Sequence, residues 1–126
     1  MRFLLDSNAL IWSLIEPNRL KPQVQDILAD AENEVAVSLV SLWEIIIKQS
    51  NGKLQVPDSF VADIELVGYK IIGLNVSYLE AYSSLPNIHK DPFDRMLIAT
   101  AKCENMKIIT SDKVFKQYDV SIVEAI

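Results

Sequence analysis

Residues 2–14 read RFLLDSNALIWSL, a short apolar run followed by an aspartate and then by a helical pattern. The continuous apolar run Phe3-Leu4-Leu5 is typical of a strand that is buried on both faces of a sheet. Asp6 ends this strand, and the apolar residues from Ala9 to Leu14 predict a helix, which Pro17 closes. The stretch therefore predicts a buried strand that passes into a helix through a carboxylate.

The rest of the chain repeats this alternation. Further strands are predicted at residues 35–37, 70–74, 107–110 and 120–123, and helices at 22–33, 41–51, 57–67, 77–85 and 91–103. Short, continuous apolar strands that alternate with helices predict a parallel sheet covered on both faces. The expected fold is a single α/β domain over residues 1–126, with a central parallel sheet of four to five short strands and helices on both faces.

The composition limits the class of protein. The chain has 126 residues, which suits one domain, and half of them are hydrophobic, enough for a compact core. No apolar run approaches the ~20 residues of a membrane span, and the single Cys103 suits a reducing compartment. We therefore expect a soluble, cytoplasmic protein with no membrane partner. The net charge of −5 weakens a nucleic-acid partner without excluding it.

Four acidic residues are expected at one edge of the sheet: Asp6, Glu44, Asp94 and Asp112. Each follows a predicted strand or begins a predicted helix, and sites in open α/β sheets form at the carboxyl ends of the strands. Carboxylates gathered there repel one another unless a cation neutralises them. Oxygen-only ligands favour Mg²⁺ or Mn²⁺.

Each acid also has a purely structural explanation. Asp6 and Asp112 suit helix caps or turns, and Asp91 with Asp94 suits the start of a helix. Ser41 and Glu44 match the capping box S-x-x-E, and Lys48 is spaced to pair with Glu44 along a helix. The prediction of a site therefore depends on all four acids falling at one edge.

Other residues are expected to be structural. His89 lies in a polar loop and is interpreted as solvated, and Cys103 lies on an apolar helix face and is interpreted as core. Trp12 and Trp43 are expected to pack rather than to stack on bases. The chain has no zinc-ligand spacing, no glycine-rich phosphate loop and no G-x-S-x-G motif.

The order of these segments resembles the PIN-domain ribonucleases, especially VapC-like toxins of type II toxin–antitoxin systems. The resemblance covers nearly the whole chain, in residues 3–12, 37–45, 89–99 and 109–112. The block Asp-Pro-Phe-Asp-Arg at residues 91–95 is its most specific part. Ser7 stands where the family more often has Thr, and Asn8 where it often has His; both departures concern support for the acids rather than the acids themselves.

The resemblance implies metal-assisted hydrolysis of RNA phosphodiester bonds, with tRNA or another structured RNA as the substrate class. It implies that Asp6 and Asp94 are the principal ligands of Mg²⁺, with Mn²⁺ as a substitute. Asp112 is implied as a further metal ligand, and Glu44 as the residue that orients or deprotonates the attacking water. Supporting hydrogen bonds are expected from Ser7, Thr110 and Ser111, and phosphate contacts from Lys48, Lys90, Arg95 and Lys113.

The resemblance also implies a homodimer and a cognate antitoxin as partners. Two alternatives remain open at the level of sequence. One is a phosphoacceptor module of the response-regulator type, although the third predicted strand runs into Gly73-Leu74-Asn75 without an aspartate. The other is a catalytically inactive PIN-like binding module.

Overall fold

The computed structural model describes residues 1–126 and contains one five-stranded sheet. The strands are β1 (Arg2–Leu5), β2 (Glu34–Ser38), β3 (Lys70–Ile72), β4 (Lys107–Thr110) and β5 (Ile122–Glu124). Their order across the sheet is β3-β2-β1-β4-β5, and every neighbouring pair is parallel. The predicted parallel sheet is confirmed, at the upper end of the expected strand number.

Six α-helices connect the strands: α1 (Ser7–Ile15), α2 (Pro22–Ala29), α3 (Leu39–Ser50), α4 (Phe60–Leu66), α5 (Val76–Ser83) and α6 (Pro92–Glu104). Short 3-10 helices follow α1 and β4, at Pro17–Arg19 and Lys113–Gln117. The predicted elements are all present, with ends that shift by a few residues. None of the helices is both long enough and apolar enough to cross a membrane.

The sheet separates two apolar cores, as the pleat of the strands requires. Phe3 and Leu5 of β1 face a core that includes residues of α1, α2 and α4. Leu4, between them, faces the opposite core, which includes residues of α5 and α6. In β4, Ile109 and Ile108 divide between the cores in the same way. Helices therefore cover both faces, which confirms the predicted α/β architecture.

Cys103 is not part of either core, so its interpretation as a core residue is wrong. It lies in the last turn of α6, where its side chain is exposed, and its Sγ is 3.6 Å from the carbonyl oxygen of Ser77. The apolar face of α6 is buried through its middle turns but not at its end. The helix stops at Asn105, which adopts the left-handed conformation (φ 54°) that asparagine tolerates.

The chain order reverses at β1, which lies between β2 and β4 in the middle of the sheet. The backbone N–H of Asp6 donates to the carbonyl oxygen of Ile109 at 3.2 Å, so the ends of β1 and β4 lie side by side. A crevice at the carboxyl ends of strands where the order reverses is the usual ligand site of an open α/β sheet. The fold therefore brings two of the predicted acids, Asp6 and Asp112, to such a crevice.

Candidate metal centre

Asp6 is the most deeply buried carboxylate of the site, only 6% exposed. It caps α1, because its Oδ1 accepts the backbone N–H of Ala9 at 2.8 Å. Its Oδ2 accepts a short hydrogen bond from the hydroxyl of Thr110 at the end of β4. Burial raises the pKa of Asp6, and these two hydrogen bonds offset part of that rise. The structure thus gives Asp6 the capping role and also a position at the sheet edge.

Asp112 is linked to Asp6 through the same threonine. The Thr110 Oγ1 accepts the backbone N–H of Asp112 at 3.0 Å while it donates to Asp6. The Oδ1 of Asp112 accepts the backbone N–H of Val114 and caps the following 3-10 helix. Its Oδ2 is directed elsewhere and lies 3.5 Å from the Nε2 of His89. The expected supporting hydrogen bond from Thr110 is therefore present.

Glu44 lies in the middle of α3 and is buried, with only 8% of the residue exposed. The capping-box interpretation is wrong, because α3 begins at Leu39 and its cap is Ser38, which accepts the N–H of Val40. The helix starts directly at the end of β2, earlier than predicted. Glu44 is held instead by the Ser7 hydroxyl, which donates to Oε1 at 2.5 Å, and by Lys48, whose Nζ is 3.4 Å from Oε2.

Asp91 and Asp94, which both suit the start of a helix by sequence, have different roles in the structure. Asp91 caps α6 and accepts the backbone N–H groups of Phe93 and Asp94. The carboxylate of Asp94 lies 2.8 Å from the Nε2 of His89 through its Oδ2. Burial raises the pKa of Asp94 to about 7, and the charges of Asp91 and Glu44 contribute to the rise, whereas His89 opposes it. A carboxylate in that setting favours the arrival of a cation.

His89 is not solvated, so that interpretation is wrong. Its side chain is only 18% exposed, and its ring packs edge-on against Phe115. Its backbone N–H donates to the hydroxyl of Tyr118 at 2.8 Å. The position of the histidine depends on residues almost thirty positions along the chain, which explains why its local sequence gave no indication. The only available indication of a place in the site was its position five residues before Asp94.

Arg95 is buried, so its assignment as a phosphate contact is wrong. Its Nη1 donates to the carbonyl oxygen of Pro86 at 2.9 Å and to the hydroxyl of Tyr118 at 3.1 Å. The guanidinium also lies 4.8 Å from the centre of the Tyr82 ring, within the range of a cation–π interaction. Arg95 therefore anchors the loop that carries His89.

The two tryptophans differ. Trp12 packs at the edge of one core, with the guanidinium of Arg19 over its ring at 4.6 Å. Trp43 packs edge-on against Phe93, with 5.3 Å between ring centres, and remains 59% exposed. The packing interpretation holds for Trp12, whereas Trp43 contributes little to the core.

The side chains of the crevice fit a divalent cation. One donor atom from each of His89, Asp94 and Asp112 lies within 4.8 Å of the other two. Asp6 and Glu44 lie outside this group of three; Thr110 links Asp6 to Asp112, and Ser7, the residue after Asp6, holds Glu44. Carboxylate oxygens with one imidazole nitrogen form a donor set suited to hard or borderline divalent ions.

Comparison with known proteins gives a family and a fold. The model of the PIN domain family matches residues 3–121. Ribonuclease VapC22 of Mycobacterium tuberculosis is 25% identical over 118 residues, which cover 91% of this chain and 90% of that protein.

Two solved structures have the same fold at low sequence identity. VapBC2 from Rickettsia felis, bound to a DNA fragment from its promoter, superposes with a TM-score of 0.77 at 18% identity, covering both chains fully. A toxin–antitoxin complex from Klebsiella pneumoniae superposes with a TM-score of 0.65 at 20% identity, covering 96% of this chain and 95% of that chain.

Proposed function

Because the chain belongs to the PIN-domain family, we propose that it is a metal-dependent endoribonuclease that hydrolyses RNA phosphodiester bonds. The observation that carries the proposal is the convergence of carboxylates from four separate segments on the crevice where the strand order reverses. The similarity to a protein named as a ribonuclease supports the reaction class. Structured RNA, such as tRNA, is the proposed substrate.

We assign Asp6, Asp94 and Asp112 to binding of Mg²⁺, with Mn²⁺ as a substitute. When bound, the cation supplies Lewis acidity for phosphodiester hydrolysis. Thr110 and the backbone of α1 each donate to one oxygen of Asp6, which supports a fixed position for this carboxylate. Glu44 orients or deprotonates the attacking water, since the Ser7 hydroxyl fixes one carboxylate oxygen and leaves the other near solvent-exposed Lys48.

A groove beside the acids supports a polyanionic substrate despite the negative net charge. Glu44 lies at one side of this groove, and Lys48, Lys53 and Lys90 are among the residues that line it. Lysines beside a carboxylate cluster attract the flanking phosphates of a strand whose scissile phosphate lies at the metal. This groove is the proposed path of the RNA backbone.

The structure does not favour a phosphoacceptor module. Asp6 is the carboxylate at the end of the central strand, yet it is almost fully buried and both of its oxygens accept hydrogen bonds. The strand β3 lies at an edge of the sheet and ends at Ile72 without an acid. Labelling of the protein by acetyl phosphate would revive this alternative.

A matched pair of variants tests the nuclease. Asp94→Asn and Asp91→Asn make the same change of charge three residues apart, and asparagine caps a helix as well as aspartate does. Incubation of total cellular RNA with Mg²⁺ should give discrete fragments with the unmodified chain and with Asp91→Asn. Chelator and Asp94→Asn should abolish them while circular dichroism stays unchanged. Full activity of Asp94→Asn would contradict the assignment, and absence of cleavage by the unmodified chain would favour an inactive binding module.

We further propose that the chain is the toxin of a type II toxin–antitoxin pair and that it forms a homodimer. The similarity to a solved toxin–antitoxin complex supports the first part. The second part rests on the family resemblance and on five large apolar side chains that α3 and α5 leave exposed, since burial of apolar area favours association: Leu39, Trp43, Ile46, Val76 and Leu79. Light scattering should give twice the chain mass, and a bound antitoxin should block RNA cleavage. A monomer at micromolar concentration would contradict the homodimer.

A further inference from the structure

We propose that His89 is a ligand of the metal in this crevice, together with Asp94 and Asp112, and that its imidazole shifts the preference of the site from Mg²⁺ toward Mn²⁺. The inference rests on the proposed nuclease function and adds a nitrogen donor to the ligands assigned there. It follows from the position of the histidine ring rather than from its sequence neighbourhood.

The distances around the imidazole match those of a coordination sphere. Its Nε2 lies 2.8 Å from the Oδ2 of Asp94 and 3.5 Å from the Oδ2 of Asp112. Adjacent donors of an octahedral ion with bonds of about 2.1 Å are separated by about 3.0 Å, and opposite donors by about 4.2 Å. All three donor atoms lie within 4.8 Å of one another. The two separations measured from Nε2 thus lie within about 0.5 Å of the distance between adjacent donors of such an ion.

The imidazole is held in position from its backbone and from its ring. The Tyr118 hydroxyl accepts the backbone N–H of His89, and the same hydroxyl accepts from the Nη1 of Arg95. Phe115 packs edge-on against the ring, with 6.3 Å between ring centres. A solvent-exposed loop side chain would not be expected to have these contacts. Restraints of this kind are what fixes a ligand before the metal binds.

The imidazole also changes which ion the site prefers. Mg²⁺ is bound by oxygen donors and accepts nitrogen reluctantly, whereas Mn²⁺ lies nearer to the transition metals that bind imidazole well. Loss of the nitrogen donor should therefore weaken Mn²⁺ binding more than Mg²⁺ binding. A histidine that only hydrogen-bonds Asp94 would affect both ions alike.

The sequence contains a single histidine, which makes a direct spectroscopic test possible. Electron spin echo envelope modulation of the Mn²⁺-loaded, untagged protein should show coupling to a directly bound imidazole nitrogen. Labelling histidine alone with ¹⁵N should change that coupling, and His89→Gln should remove it. Stoichiometrically bound Mn²⁺ without nitrogen coupling, or no Mn²⁺ binding at all, would overturn the proposal.

Calorimetric titration with each ion tests the preference. His89→Gln should weaken Mn²⁺ binding at least about tenfold, with a smaller effect on Mg²⁺. Asn87→Ala, an exposed change in the same loop, should leave both affinities unchanged. Equal losses for both ions would refute the preference. RNA cleavage without nitrogen coupling would leave the nuclease standing and reject the histidine ligand, whereas coupling without cleavage would reject the nuclease alone.

Discussion

Replacing Arg95 with methionine should destabilise the protein by about 3 kcal/mol. The change removes hydrogen bonds from a charged donor to the Pro86 carbonyl and the Tyr118 hydroxyl, each with a net value of about 1.5–3 kcal/mol. It also removes a cation–π contact with Tyr82, which is worth up to about 2 kcal/mol when desolvated. Methionine keeps most of the packing, and water can reach some of the freed acceptors, so the net loss falls below the sum.

A second arginine supplies the control. Arg19 lies over Trp12 at 4.6 Å, nearly the same distance as Arg95 over Tyr82, but its side chain is 51% exposed. Arg19→Met should therefore cost less than about 1 kcal/mol. Urea unfolding of both variants, followed by circular dichroism, measures the difference. A loss below about 1 kcal/mol for Arg95→Met, or equal losses for the two, would refute the anchoring role.

Three further predictions concern the site itself. Thr110→Val removes the hydroxyl that donates to Asp6, and RNA cleavage should fall about 10–100-fold with the fold intact. An unchanged cleavage rate would contradict the role of Thr110 in positioning Asp6. In the metal-free protein the raised pKa of Asp94, about 7, means that the native state binds more protons than the unfolded state between about pH 4 and 7. The free energy of unfolding should therefore fall as the pH rises through that window. Urea unfolding at several pH values should show a weaker pH dependence for Asp94→Asn than for the unmodified chain. The same pH dependence in both proteins would show that Asp94 is not its source. Lys53→Ala and Lys90→Ala should each reduce the slope of log K for RNA binding against log salt concentration by about 0.7, as measured by fluorescence anisotropy. Unchanged slopes would exclude the groove as the path of the RNA backbone.

The fold was predictable because each buried strand is marked by a short apolar run in the sequence. Phe3-Leu4-Leu5 is apolar without a break, and the pleat then sends alternate side chains into different cores. The strand order was not predictable from the same signals, since nothing in the residues of β4 indicates that β1 is its neighbour. The start of α3 was also missed: the sequence indicated a capping box at Ser41, whereas Ser38 caps the helix.

The candidate site was predictable only as far as its acids lie at the ends of elements. Asp6 directly follows β1 and Asp112 lies two residues after the end of β4, so a parallel sheet brings them to one edge. The interpretation of Glu44 stayed open, because its motif also fits a helix cap. His89 and Arg95 were assigned the wrong environments, since each depends on distant contacts that the local sequence does not contain.

The block at residues 91–95 contributes to the start of α6 and to the candidate site at the same time. Asp91 caps α6, and Pro92 begins the helix where a backbone N–H is not required. Successive helical residues are rotated by about 100°, so Asp94 and Arg95 cannot face the same surroundings. One carboxylate therefore faces the crevice beside His89, while the next side chain turns inward and holds the loop that carries that histidine. Moving the pair by one position would separate the acid from the crevice and the arginine from its acceptors at once. The order of residues in this block is thus a geometric requirement of both the helix start and the crevice.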